Sequence, residues 1–199
     1  MIDILLAGVG GQGTVLAAKL LAQAAAARGW KVRTAETIGM AQRGGSVTSH
    51  VRMGSDGEPV YTALLTPGTA DLIVAFEPGE AARALPYLAP NGVLVTATTV
   101  LQPVTSALSQ TPYTSAGTIE ALRTTLVAQA PQATLVTVDD AAILQQVGNP
   151  RALNVVMLAS ALAQGHVPLT IDELEEAVRV CVKPRFVDMN LEAIDIAAR

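Results

Sequence analysis

The feature that most restricts the fold of this chain is a glycine-rich turn close to its first residue. An apolar run, Ile2–Ala7, leads into the motif Gly8-x-Gly10-x-x-Gly13, and a helical pattern follows up to about residue 28. A strand that passes directly into a helix through closely spaced glycines is typical of a βαβ unit. We therefore expect a second strand at Lys31–Ala35 that runs parallel to the first.

The middle of the chain predicts a mixed sheet. Ser46–Met53 and Pro59–Leu65 are β-rich runs joined by a short Gly/Ser/Asp turn, a pattern that favours an antiparallel hairpin. Three short apolar runs then indicate buried parallel strands: Leu72–Phe76, Gly92–Thr96 and Thr134–Val138. Helices are expected between these strands, and residues 97–117, rich in Thr, Ser, Pro and Gln, are expected to be irregular.

The last third of the chain predicts helices. Arg151–Gln164 is apolar nearly all round, which indicates a helix buried on most sides. Thr170 and Glu173 have the spacing of a capping box at the start of the next helix, and Pro184 should end that helix. The predicted fold is α/β, a single domain over residues 1–199. It has three α/β/α layers, a mostly parallel but mixed sheet with a Rossmann-like βαβ opening, and a helical C-terminal part.

The composition excludes several classes of function. Half of the residues are apolar but only 3% are aromatic, so Ala, Val, Leu and Ile must build the core. The net charge of −4, with no basic stripe, argues against a nucleic-acid partner. The single cysteine, Cys181, allows no internal disulfide and no four-cysteine iron–sulfur site, and it fits a reducing cytoplasm. We see no signal peptide and expect no membrane span, because the apolar run at residues 16–27 is too short.

The glycine motif has two interpretations that the residues leave open. Backbone N–H groups at a helix N-terminus favour an anion such as phosphate, but a tight strand-to-helix turn needs glycines even without a ligand. Glu36 stands about where a dinucleotide site places its ribose-binding acid, whereas the polar Gln12 inside the turn is unusual for an NAD-binding loop. We expect the Gly8–Gly13 loop to tolerate side chains poorly. Gly10→Val, for example, should place a Cβ where backbone passes closely and where φ could be positive.

A second motif lies just beyond the second predicted strand. Arg43 stands between Gln42 and the pair Gly44-Gly45, so its guanidinium could present a planar fork to a carboxylate or a phosphate. An isolated arginine on a loop is more often only solvated. Spacing alone does not separate these two interpretations.

The two segments taken together resemble a known family. Gly8–Gly13 and Met40–Val47 are similar to the gamma-type domain of 2-oxoacid:ferredoxin oxidoreductases. The form Met-x-Gln-Arg-Gly-Gly-Ser-Val, followed by Ser49-His50-Val51-Arg52, is most similar to the small beta subunit of the indolepyruvate type. Further matches are Gly148-Asn149-Pro150 with Asn154, and Lys183–Leu191, so that the resemblance covers essentially the whole chain.

The resemblance implies a subunit that has no cofactor of its own and is inactive alone. Thiamine diphosphate, magnesium and iron–sulfur clusters are expected in a large partner subunit, which decarboxylates a 2-oxoacid, passes electrons to ferredoxin and the acyl group to coenzyme A. This chain is expected to shape the entrance of the site and to contact coenzyme A or the partner. A homodimer of the isolated chain is left open.

No catalytic or metal-ligating residue is expected in this chain. The residues expected to contact the anionic substrate are Gly8, Gly10, Gly11, Gln12, Gly13, Gln42, Arg43, Gly44 and Gly45. Two alternatives remain: a free-standing NAD-binding oxidoreductase of Rossmann type, and a purely structural interaction module. We interpret His50 and Cys181 as structural, and the adjacent carboxylates of Asp139 and Asp140 as helix capping rather than metal binding.

Arg43 gives a direct test of the anion hypothesis. Arg43→Ala in the assembled complex should raise the KM for coenzyme A or for the oxoacid by about tenfold to a hundredfold, because a charge-assisted hydrogen bond is worth about 1.5–3 kcal/mol. Arg43→Lys keeps the charge without the fork and should recover only part of this loss. Wild-type kinetics for both substrates in both variants would make Arg43 a surface or packing residue.

Overall fold

The structure is a computed structural model that describes residues 1–39, 44–101 and 113–199. Six strands form one sheet in these ranges: β1 (Ile2–Val9), β2 (Lys31–Ile38), β3 (Ser46–Gly54), β4 (Ala70–Ala75), β5 (Leu88–Ala97) and β6 (Thr134–Val138). Their order across the sheet is β2-β3-β1-β4-β5-β6. Strands β1, β4, β5 and β6 are parallel, and β3 is antiparallel to both of its neighbours. The predicted mixed, mostly parallel sheet is confirmed.

Strand β3 departs from the predicted hairpin. Its partners are β1, in a register that joins Ile2 to Met53, and β2, which joins Lys31 to Gly54. Both backbone edges of β3 are therefore occupied, and the run at residues 59–65 is not a strand. That run is attached by side chains instead, since Arg33 donates to the Val60 carbonyl at 3.3 Å. The hairpin prediction is wrong because β3 pairs with β1 on one side and with β2 on the other. The residues of the predicted turn carry no information about these distant partners.

Seven α-helices lie on the two faces of the sheet within the described ranges. They are α1 (Thr14–Ala27), α2 (Pro78–Ala84), α3 (Ser115–Gln129), α4 (Asp140–Val147), α5 (Leu153–Leu162), α6 (Ile171–Cys181) and α7 (Val187–Ala197). Buried residues of α2 and α3 pack on one face, and those of α1 and α5–α7 pack on the other. The three-layer α/β/α prediction is confirmed. No helix in the described ranges is long and apolar enough to cross a membrane.

Small residues let the helices approach the sheet closely. The inner side of α1 presents Ala17 and Ala18, both fully buried, to the face of β1 that carries Ile4. Helix α5 is buried along almost its whole length, as the apolar run had predicted. Burial of this kind contributes about 25 cal/mol per Å² of apolar surface, so the core is stabilised by many small contacts rather than by a few aromatic rings.

The predicted capping box ties α6 to α1. The Thr170 hydroxyl accepts from the Glu173 N–H, and Glu173 in turn accepts from the Thr170 N–H at 2.8 Å. The other oxygen of Glu173 accepts from Arg28, which follows α1, and the Arg28 guanidinium lies 5.0 Å from the ring centre of Trp30. Partial burial acts to raise the pKa of Glu173, but the hydrogen bonds from Arg28 and Thr170 outweigh it and lower the pKa.

Glu173→Gln should separate the ion pair from the cap, because glutamine also satisfies a capping box. The lowered pKa means that the carboxylate stabilises the fold above its unfolded pKa, and that this contribution is lost as the pH falls through the folded pKa. We expect the variant to lose up to about 1 kcal/mol at pH 7 and the difference from wild type to vanish near pH 3. Asp172→Asn, in the same helical turn, is the control in urea unfolding. Equal losses in both variants at pH 7 would remove the special role of the Arg28 pair.

Candidate functional site

The site lies at the edge of the sheet where β1, β4, β5 and β6 all end. The helix that follows β1 packs on one face, and the helix that follows β4, a neighbouring strand, packs on the other. Neighbouring strands whose helices diverge in this way create a crevice at which α/β proteins bind ligands. The glycine motif stands at this crevice.

The loop geometry explains two of the glycines directly. Gly11 has φ 107° and Gly13 has φ 86°, a region that side chains other than glycine rarely adopt. Gly13 also caps α1 without a side-chain hydrogen bond, and the helix has no acidic residue in its first turn. The first-turn N–H groups at residues 14–16 meet no acceptor among the described residues.

Gln12 closes the crevice from inside. Its Oε1 accepts from the Val9 N–H at 2.7 Å, and its Nε2 donates to the Phe76 carbonyl at 2.9 Å. The side chain therefore joins the end of β1 to the residue that follows β4. Because both ends of the amide are engaged within the protein, Gln12 acts on a ligand through the loop it shapes.

The two sequence motifs meet at this loop. The Gly10 N–H donates to the Gly45 carbonyl at 2.8 Å, and Ser46 donates to Glu80 at 2.6 Å. The structure thus brings Gly8–Gly13 and Gly44–Gly45 together. Gln42 and Arg43 lie outside the described residues.

On the α2 side of the loop lies an acidic cleft of about 600 Å³, defined by Gly10, Ser46, Glu77, Glu80 and Tyr113. Glu77 and Glu80 are 2% and 3% exposed. The Tyr113 hydroxyl donates to Glu77, and Arg83 donates to Glu80. Burial first, and then the hydrogen bond to Glu77, raises the pKa of Tyr113, which keeps the phenol protonated.

On the α1 side lies an apolar cleft of about 710 Å³. Its apolar wall consists of Leu16, Leu144, Leu153, Val182, Phe186 and Met189, and its polar members include Gly11–Gly13, Asp140, Arg151 and Asn154. One oxygen of the Asp140 carboxylate is engaged within the protein. Its Oδ1 accepts from the Thr98 and Thr99 N–H groups, each at 2.9 Å. Asp139 caps α4 through the Ala142 N–H, so the capping interpretation is confirmed for Asp139. It is wrong for Asp140, whose side chain binds residues 98 and 99 instead of its own helix.

Asn154 is among the residues that match the family in sequence, but it was not among the expected site residues. It is 4% exposed and lines the apolar cleft, yet its side chain makes no hydrogen bond with any described residue. A Cβ on Gly13 would lie 3.2 Å from its Cγ, so the amide sits against the start of α1. An amide inside an otherwise apolar run was the signal in the sequence, because buried amides need partners.

The order of the strands differs from that of a dinucleotide-binding site. Strand β3 lies between β1 and β2, so Glu36 on β2 is two strands away from the glycine loop. A Rossmann site places its ribose-binding acid on the strand next to the loop. In this chain the acid is exposed at the sheet edge instead.

His50 and Cys181 both lie where they support the fold, in agreement with their interpretation as structural residues. Burial lowers the pKa of His50, whose Nδ1 accepts from the Leu65 N–H at 3.2 Å. Cys181 is partly buried and packs against the main core. No group of three or more His, Cys, Asp or Glu side chains in the described ranges is placed to hold a metal ion.

Comparison with known proteins places this geometry in a family. The family model described as pyruvate ferredoxin/flavodoxin oxidoreductase matches residues 3–199. The chain belongs to this family. Among curated members, it is 35% identical to the indolepyruvate oxidoreductase subunit IorB of Pyrococcus horikoshii over 99% of this chain and 94% of that protein. It is also 35% identical to the IorB subunit of Archaeoglobus fulgidus, over 97% of this chain and 92% of that protein.

Solved members of the family share the fold. A keto/oxoacid ferredoxin oxidoreductase gamma subunit from Geobacter sulfurreducens matches with a TM-score of 0.69 and 20% identity, over 100% of this chain and 96% of that chain. A 2-oxoglutarate:ferredoxin oxidoreductase from Magnetococcus marinus, solved with 2-oxoglutarate, coenzyme A and succinyl-CoA bound, matches with a TM-score of 0.71 and 19% identity. That match covers 98% of this chain and 30% of the longer one.

Within the Gly8–Gly13 loop, the glycine with the least room for a side chain is Gly8 and not Gly10. Gly10 has no positive φ, and a Cβ there would lie 3.6 Å from the Gly45 carbonyl, which is an ordinary contact. A Cβ on Gly8 would lie 2.8 Å from Thr14 Cγ2, 2.9 Å from Phe76 Cδ2 and 3.0 Å from Gln12 Oε1. The expectation for Gly10 is wrong because the neighbouring segment touches it through a hydrogen bond and not through close packing.

Gly8→Ala should therefore displace the Gln12 amide and destabilise the fold by about 1–3 kcal/mol, the usual cost of overpacking. Gly10→Ala is the matched control, with an expected change of less than about 1 kcal/mol in either direction. Chemical unfolding of both variants measures the difference. The proposed order is contradicted if Gly10→Ala proves to be the more destabilising change.

Proposed function

We propose that this chain is the small subunit of a 2-oxoacid ferredoxin oxidoreductase of the indolepyruvate type, and that it has no cofactor of its own. The observation that carries the proposal is the 35% identity to IorB subunits along nearly the full length of both chains. The meeting of the two family motifs at one edge of the sheet supports it, because this edge is where α/β proteins bind ligands.

The proposed reaction joins a 2-oxoacid to coenzyme A. The bond between the carboxylate and the oxo carbon breaks, carbon dioxide leaves, and the acyl carbon forms a bond to the sulfur of coenzyme A. The thiol proton and two electrons are released, and the electrons pass to ferredoxin.

The groups that this chemistry requires do not fit this chain. An iron–sulfur cluster needs about four thiolates, whereas the chain has one cysteine. We therefore assign thiamine diphosphate, magnesium and the clusters to a large partner subunit. Thiamine would supply the carbanion chemistry of decarboxylation there.

The part assigned to this chain is binding at the carboxyl-terminal edge of its sheet. The glycine loop, with Gly44–Gly45 beside it, would hold an anionic part of coenzyme A or of the oxoacid, and Gln42 and Arg43 of the second motif are proposed to contribute. The chain has a net charge of −4, so attraction of an anion has to come from local groups rather than from general charge.

The test is reconstitution with a large thiamine- and ferredoxin-like chain from the same organism, sought first in the neighbouring open reading frame. The complex should reduce ferredoxin or a viologen dye when indolepyruvate and coenzyme A are both present, and this chain alone should be colourless, free of iron and inactive. Stoichiometric iron or oxoacid-dependent dye reduction by this chain alone would overturn the proposal. A complex that turns over equally well without this chain would leave it a structural module.

A further inference from the structure

We propose that the apolar cleft is a binding site for an organic oxyanion, a phosphate or carboxylate carried on an apolar body, and that Asn154 donates a hydrogen bond to it. The proposal deepens the function proposed above and rests on its assignment of the carboxyl-terminal edge as the ligand site. It adds a residue that was not among the expected site residues, and it selects one side of the glycine loop.

The first argument is the state of Asn154. The residue is 4% exposed and lines the cleft, and its side chain has no hydrogen-bond partner among the described residues. Among those residues the buried side-chain polar atom without a partner is Ser49 Oγ, so the Asn154 amide reaches the open space of the cleft. The other buried asparagine of the cleft, Asn190, is satisfied, since its Nδ2 donates to the Phe186 carbonyl at 2.6 Å. The Asn154 amide is therefore left to bond with whatever occupies the cleft.

The second argument is the start of α1. Asn154 lies directly against Gly13, the residue that precedes α1. A Cβ built on Gly13 would be 3.3 Å from Asn154 Nδ2. The helix has 14 residues, no side-chain cap and no acidic residue in its first turn. A helix N-terminus of this kind carries positive partial charge and open N–H donors. Asn154 Nδ2 and these N–H groups therefore lie close together at one end of the cleft.

The third argument is the difference in charge between the two clefts. The charged side chains that line the acidic cleft are Glu77, Glu80 and Arg83, so two negative charges and one positive charge sum to −1. Those of the apolar cleft are Asp140, whose Oδ1 accepts two backbone N–H groups, and Arg151, which forms no ion pair with a described residue, so their charges cancel. An anion is therefore repelled less on the α1 side of the loop.

The shape of the cleft defines the rest of the ligand. Its volume of about 710 Å³ falls within the range of small-molecule sites, and its wall is made by side chains of α1, α4, α5 and α7 together with residues 182 and 186. Leu16 and Leu153 lie near the polar end, and Phe186 and Met189 complete the wall. An apolar or planar group attached to the oxyanion would remove this surface from water.

Asn154→Asp tests the proposal because it separates binding from folding. A carboxylate beside the start of α1 should raise the melting temperature of the free chain, while it repels the oxyanion and weakens binding by about tenfold or more. Asn154→Ala should also weaken binding, without the gain in stability. Asn91→Asp, on an exposed position of β5, adds the same charge far from the cleft and should bind as wild type.

The probes are coenzyme A and indole-3-pyruvate, titrated calorimetrically into the full chain and used in KM measurements on the complex. Weakening for coenzyme A alone identifies a phosphate, and weakening for indole-3-pyruvate alone identifies a carboxylate. The proposal is overturned if Asn154→Asp leaves the affinity and the KM for both probes unchanged, or if it lowers the melting temperature as a lost structural hydrogen bond would.

The same measurements keep the two proposals apart. If the complex uses indolepyruvate and the Asn154 variants keep wild-type KM values, the site is wrong and the function stands. If the complex does not use indolepyruvate but Asn154→Asp still loses a probe, the function is wrong and the site stands.

Discussion

The amide of Gln12 holds the functional edge of this molecule together. It accepts from the end of β1 and donates to the residue after β4, at the crevice where the helices that follow these strands diverge. In most α/β proteins this crevice is open to a ligand. Gln12 lines the apolar cleft, and Gly10 of the same loop lines the acidic cleft. The loop that Gln12 fixes therefore contributes to both clefts.

The acidic and apolar clefts differ in the polar groups that line them. In the acidic cleft, Ser46 donates to the Glu80 carboxylate and Tyr113 donates to Glu77, so both carboxylates are engaged within the protein. The α1 side offers donors that lack acceptors within the described residues. The donors that suit an anion therefore lie on the α1 side of the loop.

Much of this architecture could be predicted from local patterns, because those patterns act over a few residues. The glycine turn, the short apolar strands and the Thr170–Glu173 box depend on neighbours in sequence, and they lie where expected. The failures depend on residues far apart. The chain at 59–65 lost its strand because β1 and β2 already flank β3, and Gly8 rather than Gly10 proved crowded because Phe76 approaches it from another strand. Asn154 was visible as an amide in an apolar run, but its lack of a partner is a tertiary property.

The position of Trp30 decides what optical measurements on this protein can report. It is the only tryptophan, and it precedes β2 at the end of the sheet opposite the glycine loop, with Arg28 stacked on its ring. Its emission will follow the separation of α1 from α6 when the chain unfolds. Events in either cleft take place too far away to perturb the indole. We therefore expect the intrinsic fluorescence of Trp30 to change when the chain unfolds and to stay constant when a ligand binds in either cleft.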